Sequence, residues 1–114
     1  APFHRRFMNT IENPFEDVLN SVRKVMDSRS ASQVASNFTG GFHSNDTEDV
    51  LNKLVSQLSN TVRWKDNMHT LASTADVIYE VGPNRPLRDF FRTIGVNCLS
   101  LTTLASAQRT FQGN

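Results

Sequence analysis

The chain has 114 residues, 38% of them hydrophobic, and its 12 basic and 11 acidic side chains leave a net charge of +1. This length predicts one domain with a modest core, and so balanced a charge argues against a nucleic acid or a membrane surface as partner. The single cysteine excludes an internal disulfide framework, and no apolar run is long enough to span a bilayer.

The chain opens with a loop that leads into a helical pattern. Asn9 or Asn13 can cap this first helix in a capping-box arrangement, and the apolar pattern ends near Met26. Pro14 is compatible with a position near the helix start. The apolar positions have spacings of three and four, which predicts one buried helix face: they are Met8, Ile11, Phe15, Val18, Val22 and Val25.

Polar loops separate the next elements. The Ser-rich stretch 27–32 predicts a loop, and residues 33–38 predict a weak short strand. A double glycine follows, and then Asp46 or Thr47 is expected to cap a second helix. A third helix follows the break at residues 59–60. The predicted buried positions are Val50, Leu51, Leu54, Val55 and Leu58 in the second helix, and Trp64, Met68, Leu71 and Ala75 in the third.

The clearest pattern is a strand, a tight turn and a helix between residues 76 and 95. The apolar run 77–81 predicts a strand that is buried on both faces of a parallel sheet. Gly82 and the proline after it end that strand. Asn84 is expected to cap the following helix, Pro86 fits its first turn, and Gly95 is placed to close it.

A last strand over residues 96–101, which carries Cys98, and a helix over residues 105–111 complete the pattern. Helices that alternate with strands predict an α/β fold with a mostly parallel sheet. Three strands are few for such a sheet, and the chain opens at Ala1 without a methionine. We therefore expect an incomplete sheet and a chain that belongs to a longer protein.

Three histidines are candidates for acid–base chemistry. His4 lies in a loop just before a helix, which suits either proton transfer or a structural role. His43, in a polar loop, is expected to face solvent, and His69 can face either way. No two of them have zinc-ligand spacing, and Cys98 lies in a predicted strand, so we expect no metal site.

Other sequence signals for catalysis are absent. The sequence has no Gly-rich phosphate loop and no Gly-x-Ser-x-Gly elbow, so it offers no recognisable serine nucleophile. Arg85, Arg88 and Arg92 follow one flank of a predicted helix. They suit an acidic partner or a solvated surface equally well.

Four segments of the chain stand out as motifs: Phe3-His4 with Met8, Ser36 to Gly40, Leu54 to Leu58 with Val62 to Trp64, and Tyr79 to Pro83. Together they resemble the C-terminal part of malonyl-CoA:acyl-carrier-protein transacylases and the related acyltransferase domains of fatty acid and polyketide synthases. The resemblance extends over nearly the whole chain, in the family's order. Arg5, Thr61 and Asn84 replace residues that are frequent in the family, but none is at a catalytic position.

The resemblance implies a partial three-layer, hydrolase-like α/β core, in which residues 1–114 are the C-terminal segment of the large acyltransferase subdomain. It implies a Ser-His mechanism that moves a malonyl or related acyl group from coenzyme A to the phosphopantetheine thiol of acyl carrier protein. His4 is then the general base and acid, and the backbone carbonyl of Gln57 orients its ring.

The same resemblance implies the partners and the compartment. The serine lies upstream in the family, so the chain alone is expected to be inactive. Coenzyme A enters as a thioester substrate, no bound cofactor is implied, and the partners are acyl carrier protein, malonyl-CoA and the upstream part of the same enzyme. The implied location is the cytoplasm or the mitochondrial matrix.

A non-catalytic alternative also fits the sequence. The chain is then a module that kept the fold and docks on a carrier protein or a synthase subunit. Arg85, Arg88 and Arg92 form the contact surface in this alternative, and neither a nucleic acid nor a membrane is involved.

Overall fold

A computed structural model describes residues 4–113 of the chain. Within that range the structure is mixed helix and strand, with six α-helices and a two-stranded parallel sheet that is not closed. The chain divides into two compact units, Ala1–Thr70 and Leu71–Asn114. The assignment of residues 1–114 to a single subdomain stays a prediction.

The first unit is helical. Its helices are α1 (Glu12–Val22), α2 (Ser28–Ala31), α3 (Thr47–Ser56) and the first part of α4 (Trp64–Thr74), which contains the division between the units. Helix α1 packs on α3, and short 3₁₀ turns precede and follow α1. The buried apolar side chains of this unit are Val50, Leu51 and Met68.

The first helix differs from the prediction in continuity and in burial. It is interrupted by the 3₁₀ turns Arg6–Ile11 and Arg23–Val25, and Pro14 lies in the first turn of α1, where a proline removes no intrahelical hydrogen bond. The predicted buried face is wrong in part, because Val18 and Val22 are exposed on the surface.

Two predictions between residues 27 and 38 are wrong. The stretch predicted as a loop contains α2, because the Asp27 carboxylate accepts hydrogen bonds from the Arg29 and Ser30 amides. The predicted strand over 33–38 is reduced to a single antiparallel bridge between Ala35 and Phe42. The Ser36 hydroxyl accepts from the two amides that follow at positions 38 and 39, which folds the chain into a turn.

The second unit contains the parallel pair that the sequence predicts. Strands β1 (Ile78–Val81) and β2 (Cys98–Leu101) pair in parallel, with Ile78 opposite Cys98. Helix α5 (Pro86–Thr93) connects them, and α6 (Leu104–Phe111) follows. The prediction of three strands is wrong, since residues 33–38 form none.

The prediction that β1 is buried on both faces is also wrong. The side chain of Val81 is 81% exposed, whereas that of Glu80 is only 5% exposed. Successive side chains of a strand point to opposite faces, so one face of β1 buries an acid and the other leaves apolar side chains open. Tyr79, on the open face, stacks in a tilted arrangement on the ring of Phe111, with the ring centroids 5.1 Å apart.

The turn into α5 is closed by Glu80 rather than by Asn84. The two carboxylate oxygens of Glu80 accept hydrogen bonds from the Leu87 and Arg88 amides, each at 2.9 Å. These amides belong to the first turn of α5, where backbone N–H groups have no intrahelical acceptor. The predicted cap at Asn84 is therefore wrong, while Pro86 does open the helix as predicted.

The end of α5 agrees with the prediction. Gly95 has a φ of +74°, in the left-handed region that favours glycine. Its amide donates to the Arg92 carbonyl at 3.0 Å, and the Val96 amide donates to the Phe91 carbonyl at 3.1 Å. These two bonds form a Schellman motif, which brings the chain out of the helix towards β2.

Candidate functional site

The end of α3 has a backbone carbonyl, that of Gln57, to which no amide of the helix itself donates. Asp46 caps the start of this helix by accepting from the Glu48 amide, which confirms one of the two predicted caps. At the other end, the Gln57 amide donates to the Lys53 carbonyl at 3.1 Å, so Gln57 completes the last turn. The last four carbonyls of a helix have no intrahelical donor. The carbonyl of Gln57 is thus available to a side chain from another segment.

His4 supplies that side chain. Its Nδ1 lies 2.8 Å from the carbonyl oxygen of Gln57, although the two residues are 53 positions apart in the chain. A carbonyl oxygen only accepts hydrogen bonds, so Nδ1 carries the proton. In the neutral ring Nε2 is then the unprotonated nitrogen, able to accept a proton. The contact implied by the resemblance is present, while a catalytic role for His4 stays a prediction.

The backbone of His4 is also unusual. Its φ is +58°, the one positive value at a non-glycine residue within the described range 4–113. Left-handed backbone at a side chain other than glycine costs on the order of 1 kcal/mol or more, and such residues are frequent at functional sites. The surrounding structure therefore has to hold His4 in place, and the bond to Gln57 is one of the contacts that do so.

Two side-chain links hold α1, and with it the segment after His4, against α3. The Ser59 hydroxyl, just beyond the end of α3, donates to the Glu12 carboxylate in the first turn of α1. At the opposite end, Arg23 forms an ion pair with Glu48 in the first turn of α3. The two helices are thus joined at both ends, which fixes the position at which the chain enters α1.

The segments Ser36–Gly40 and Val62–Trp64, both part of the resemblance, meet in the structure. Asn37 accepts from the Arg63 amide at 2.9 Å through its carbonyl and from the Asn67 side chain at 3.1 Å through its amide oxygen. A Cβ at Gly40 would lie 2.3 Å from the Cβ of Asp66. These residues hold a turn against the start of α4, and the carboxylate of Asp66 is paired with Arg63 at 2.7 Å. Phe3 lies outside the described residues.

His43 is buried, which contradicts the prediction that it faces solvent. Its side chain is 8% exposed, and its Nδ1 has no hydrogen-bond partner within residues 4–113. Burial lowers the pKa of this imidazole, the nearby Lys53 ammonium lowers it further, and Asp49 opposes the shift. The polar sequence around His43 gives no signal of this burial, because it arises from contacts distant in the chain. His69 is exposed.

The predicted arginine flank has an acid at its centre. Arg88 and Arg92 both approach the carboxylate of Asp89, at 3.2 and 3.8 Å. Arg85 directly precedes the helix. Three arginines and one aspartate give this group of side chains a net charge of +2. A cavity of about 290 Å³ lies beside Arg88 and Arg92 and extends to Cys98. Burial raises the pKa of the Cys98 thiol, which disfavours a reactive thiolate there.

A larger cavity, of about 590 Å³, lies at the carboxyl ends of β1 and β2. Within the part of the chain that the structure describes, no titratable side chain lines this cavity, so no acid–base group from that part faces it. Its apolar lining residues are Val81, Pro83, Leu101, Leu104, Ala107 and Phe111.

The described part of the chain has neither a metal-binding cluster nor a membrane-spanning helix. Residues 4–113 contain no cluster of three or more histidine, cysteine or acidic side chains that could bind a metal ion. None of the helices in that range is long and apolar enough to cross a membrane. Comparison of the chain with protein-family models, curated proteins and solved structures gives no match.

Proposed function

We propose that this chain is the histidine-bearing, C-terminal part of an acyltransferase that moves a malonyl or related acyl group from coenzyme A to acyl carrier protein. The hydrogen bond from His4 Nδ1 to the Gln57 carbonyl carries the proposal. It leaves Nε2 unprotonated and free of that bond, as a general base requires. A backbone carbonyl does here what a carboxylate does in a Ser-His-Asp triad.

In the proposed reaction a serine takes the acyl group first. His4 Nε2 accepts the serine proton as Oγ attacks the thioester carbon. The carbon–sulfur bond then breaks, and the proton passes from Nε2 to the coenzyme A sulfur. In the second half-reaction Nε2 takes the proton of the phosphopantetheine thiol. The sulfur attacks the acyl-serine, the ester bond breaks, and the proton returns to the serine oxygen.

The serine has to come from outside these 114 residues, since the sequence contains no Gly-x-Ser-x-Gly elbow. The two-stranded parallel sheet is compatible with a larger, three-layer core to which this chain contributes β1 and β2. We therefore expect no transfer by the isolated chain. The proposed substrates are malonyl-CoA, or a related acyl thioester, and acyl carrier protein.

Complementation tests the proposal. The chain is joined to, or mixed with, a transacylase segment that supplies the serine elbow, and transfer of labelled malonyl from coenzyme A to carrier protein is measured. His4→Ala should lower the rate on the order of 10³-fold or more. His69→Ala, at an exposed histidine of α4, is the matched control and should leave the rate unchanged. Full activity of the His4→Ala protein would refute the proposed role.

A non-catalytic docking function is the second candidate, and the arginine flank favours it. Its net charge of +2 beside a cavity suits an acidic protein surface. A labelled carrier protein titrated with this chain should then bind, and reversing the charges of Arg85, Arg88 and Arg92 should abolish binding. Lys65→Glu, on the exposed surface of α4, is the control substitution. Absence of binding by the unaltered chain would exclude this candidate.

A further inference from the structure

The bond between His4 and Gln57 is one of two side-chain contacts that join the same two stretches of chain. In the second contact, the carboxylate of Glu12 accepts from the hydroxyl of Ser59. Glu12 is the first residue of α1, and Ser59 follows Gln57 by two positions. The 3₁₀ turn Arg6–Ile11 lies between His4 and Glu12. The segment that ends α3 therefore holds this turn on both sides.

The segment after α3 is itself fixed by hydrogen bonds. The side-chain amide of Asn60 donates to the Ser56 carbonyl at 2.7 Å, and the same amide nitrogen lies 3.5 Å from the Ser59 hydroxyl. A hydroxyl can accept one hydrogen bond while it donates another, so Ser59 can accept from Asn60 and donate to Glu12. The carbonyl of Ser56 has its own donor, which leaves the carbonyl of Gln57 to the imidazole.

The second contact matters because the backbone of His4 is left-handed, with a φ of +58°. A side chain other than glycine stays in that conformation only when the surrounding contacts over-determine it. The bond to Gln57 is a single constraint on a half-buried ring. The bond of Glu12 to Ser59 is an independent constraint, since it fixes the far end of the turn that begins two residues after His4.

Other acidic side chains near α1 are not placed to do this. Glu48 pairs with Arg23 at the opposite end of the helix, where both side chains are largely exposed, and exposed ion pairs contribute little to stability. Glu16, one turn beyond Glu12, is exposed. It has no hydrogen bond or ion pair within residues 4–113. Glu12 is therefore the acid of α1 that bears on His4.

We propose that Glu12 is a positioning residue for His4 and acts through the hydroxyl of Ser59. Without this bond the turn Arg6–Ile11 moves away from the end of α3, the backbone of His4 relaxes, and the imidazole leaves the Gln57 carbonyl. The ring then loses the contact that keeps its proton on Nδ1. The effect on catalysis rests on the proposed acyl transfer, whereas the effect on the ring does not.

Nitrogen-15 spectra of the histidine rings in the isolated chain test the effect on the ring, at a pH where His4 is neutral. Glu12→Ala and Ser59→Ala should each lower the ratio of Nδ1-protonated to Nε2-protonated His4 about fivefold, as the loss of one hydrogen bond implies. Glu12→Gln keeps an oxygen that accepts from Ser59, so it should keep the original ratio. Glu16→Gln is the matched control and should change nothing. Circular dichroism spectra establish that each variant is folded.

The complementation assay with a serine-bearing segment tests the effect on catalysis. Glu12→Ala should lower kcat on the order of tenfold and leave the KM for the acyl thioester unchanged, because the base is misplaced while substrate binding is not affected. Glu12→Gln should restore kcat to within about twofold of the unaltered chain. Glu48→Gln breaks the distant link between the two helices and should leave both constants unchanged.

Two results would overturn the proposal. If Glu12→Ala and Ser59→Ala leave the protonation of the His4 ring unchanged, Glu12 does not position it. If Glu16→Gln or Glu48→Gln changes the ring as much as Glu12→Ala does, the effect comes from general packing of α1. A changed ring in Glu12→Ala, together with no transfer by the unaltered chain and any serine-bearing segment, would support the positioning role and refute the acyl transfer.

Discussion

His4 and Glu80 make the same kind of contact at opposite ends of two helices. The imidazole of His4 donates to a carbonyl at the C-terminal end of α3, and the carboxylate of Glu80 accepts from amides at the N-terminal end of α5. Glu80 is buried, and both of its oxygens have partners. His4 is half-buried, and its bond to Gln57 occupies one ring nitrogen. The two residues differ in the hydrogen-bonding atoms that they have left over: both oxygens of Glu80 have partners, whereas the bond to Gln57 leaves the second ring nitrogen of His4 unoccupied.

The difference predicts that the two substitutions lower stability by unequal amounts. Glu80→Ala removes the acceptor of two amides at the start of α5 and leaves a buried gap. We therefore expect the free energy of unfolding of unit Leu71–Asn114 to fall by about 3 kcal/mol. His4→Ala removes one hydrogen bond of a half-buried residue and should cost less than about 1 kcal/mol. Urea unfolding of both variants measures the two costs.

Hydrogen exchange locates the effect of Glu80. The amides of Leu87 and Arg88 should exchange much faster in Glu80→Ala than in the unaltered chain, because each loses its acceptor. Unchanged protection of these amides, or a larger loss of stability in His4→Ala than in Glu80→Ala, would contradict the comparison.

Gly40 is a purely structural case, in which close packing rather than a hydrogen bond sets the expected loss of stability. Its φ is +74°, and an added Cβ would lie within 2.3 Å of the Asp66 Cβ. Gly40→Ala should therefore destabilise unit Ala1–Thr70 by roughly 2 kcal/mol, measured by thermal unfolding. Gly41→Ala is the matched control. A Cβ there would come no closer than 4.0 Å to the Thr39 hydroxyl, so the melting temperature should hardly change. Equal effects of the two variants would show that the turn is not closely packed.

His43 is a third case, because it is buried and its Nδ1 has no hydrogen-bond partner among residues 4–113. Its pKa in the folded chain is lowered below the ordinary value of 6.5, by burial first and by Lys53 second. The unfolded chain therefore binds this proton more readily than the folded chain. The contribution of His43 to the free energy of unfolding is therefore fully present above about pH 6.5, and it is lost as the pH falls through the folded-state pKa.

This pH dependence is the smallest of the expected effects. Urea unfolding of the chain between pH 8 and pH 5 should give a midpoint that falls with pH, and the fall should be smaller in His43→Gln, which has no imidazole to titrate. An identical pH dependence of the two proteins would mean that another group causes it.

Local signals in the sequence predict part of the second unit well. The apolar run before Gly82, the proline at 86 and Gly95 specify β1, the start of α5 and its end, because each acts on neighbouring residues. Asn84 misled the prediction of the cap. The side chain that caps the helix is that of Glu80, which lies seven residues before Leu87, the first helical residue whose amide it binds.

The rest of the structure depends on contacts that no local sequence pattern indicates. The strand expected over 33–38 is replaced by a turn because the Ser36 hydroxyl accepts hydrogen bonds from the amides of Phe38 and Thr39. The burial of His43 and the exposure of Val18 are set by which helices pack together, and apolar spacing alone does not say how wide a face is covered. The partner of His4 follows from the resemblance rather than from any spacing in the sequence.

The protonation of the His4 ring tests the central claim most directly. Nitrogen-15 spectra of the histidine rings, recorded at a pH where His4 is neutral, report which nitrogen carries the proton. We predict that His4 is protonated at Nδ1, held by the Gln57 carbonyl, with an unprotonated Nε2, whereas the exposed His69 shows the mixture of an unconstrained ring. If His4 carried its proton mainly at Nε2, that nitrogen would be no base for a serine, and the proposed mechanism would be wrong.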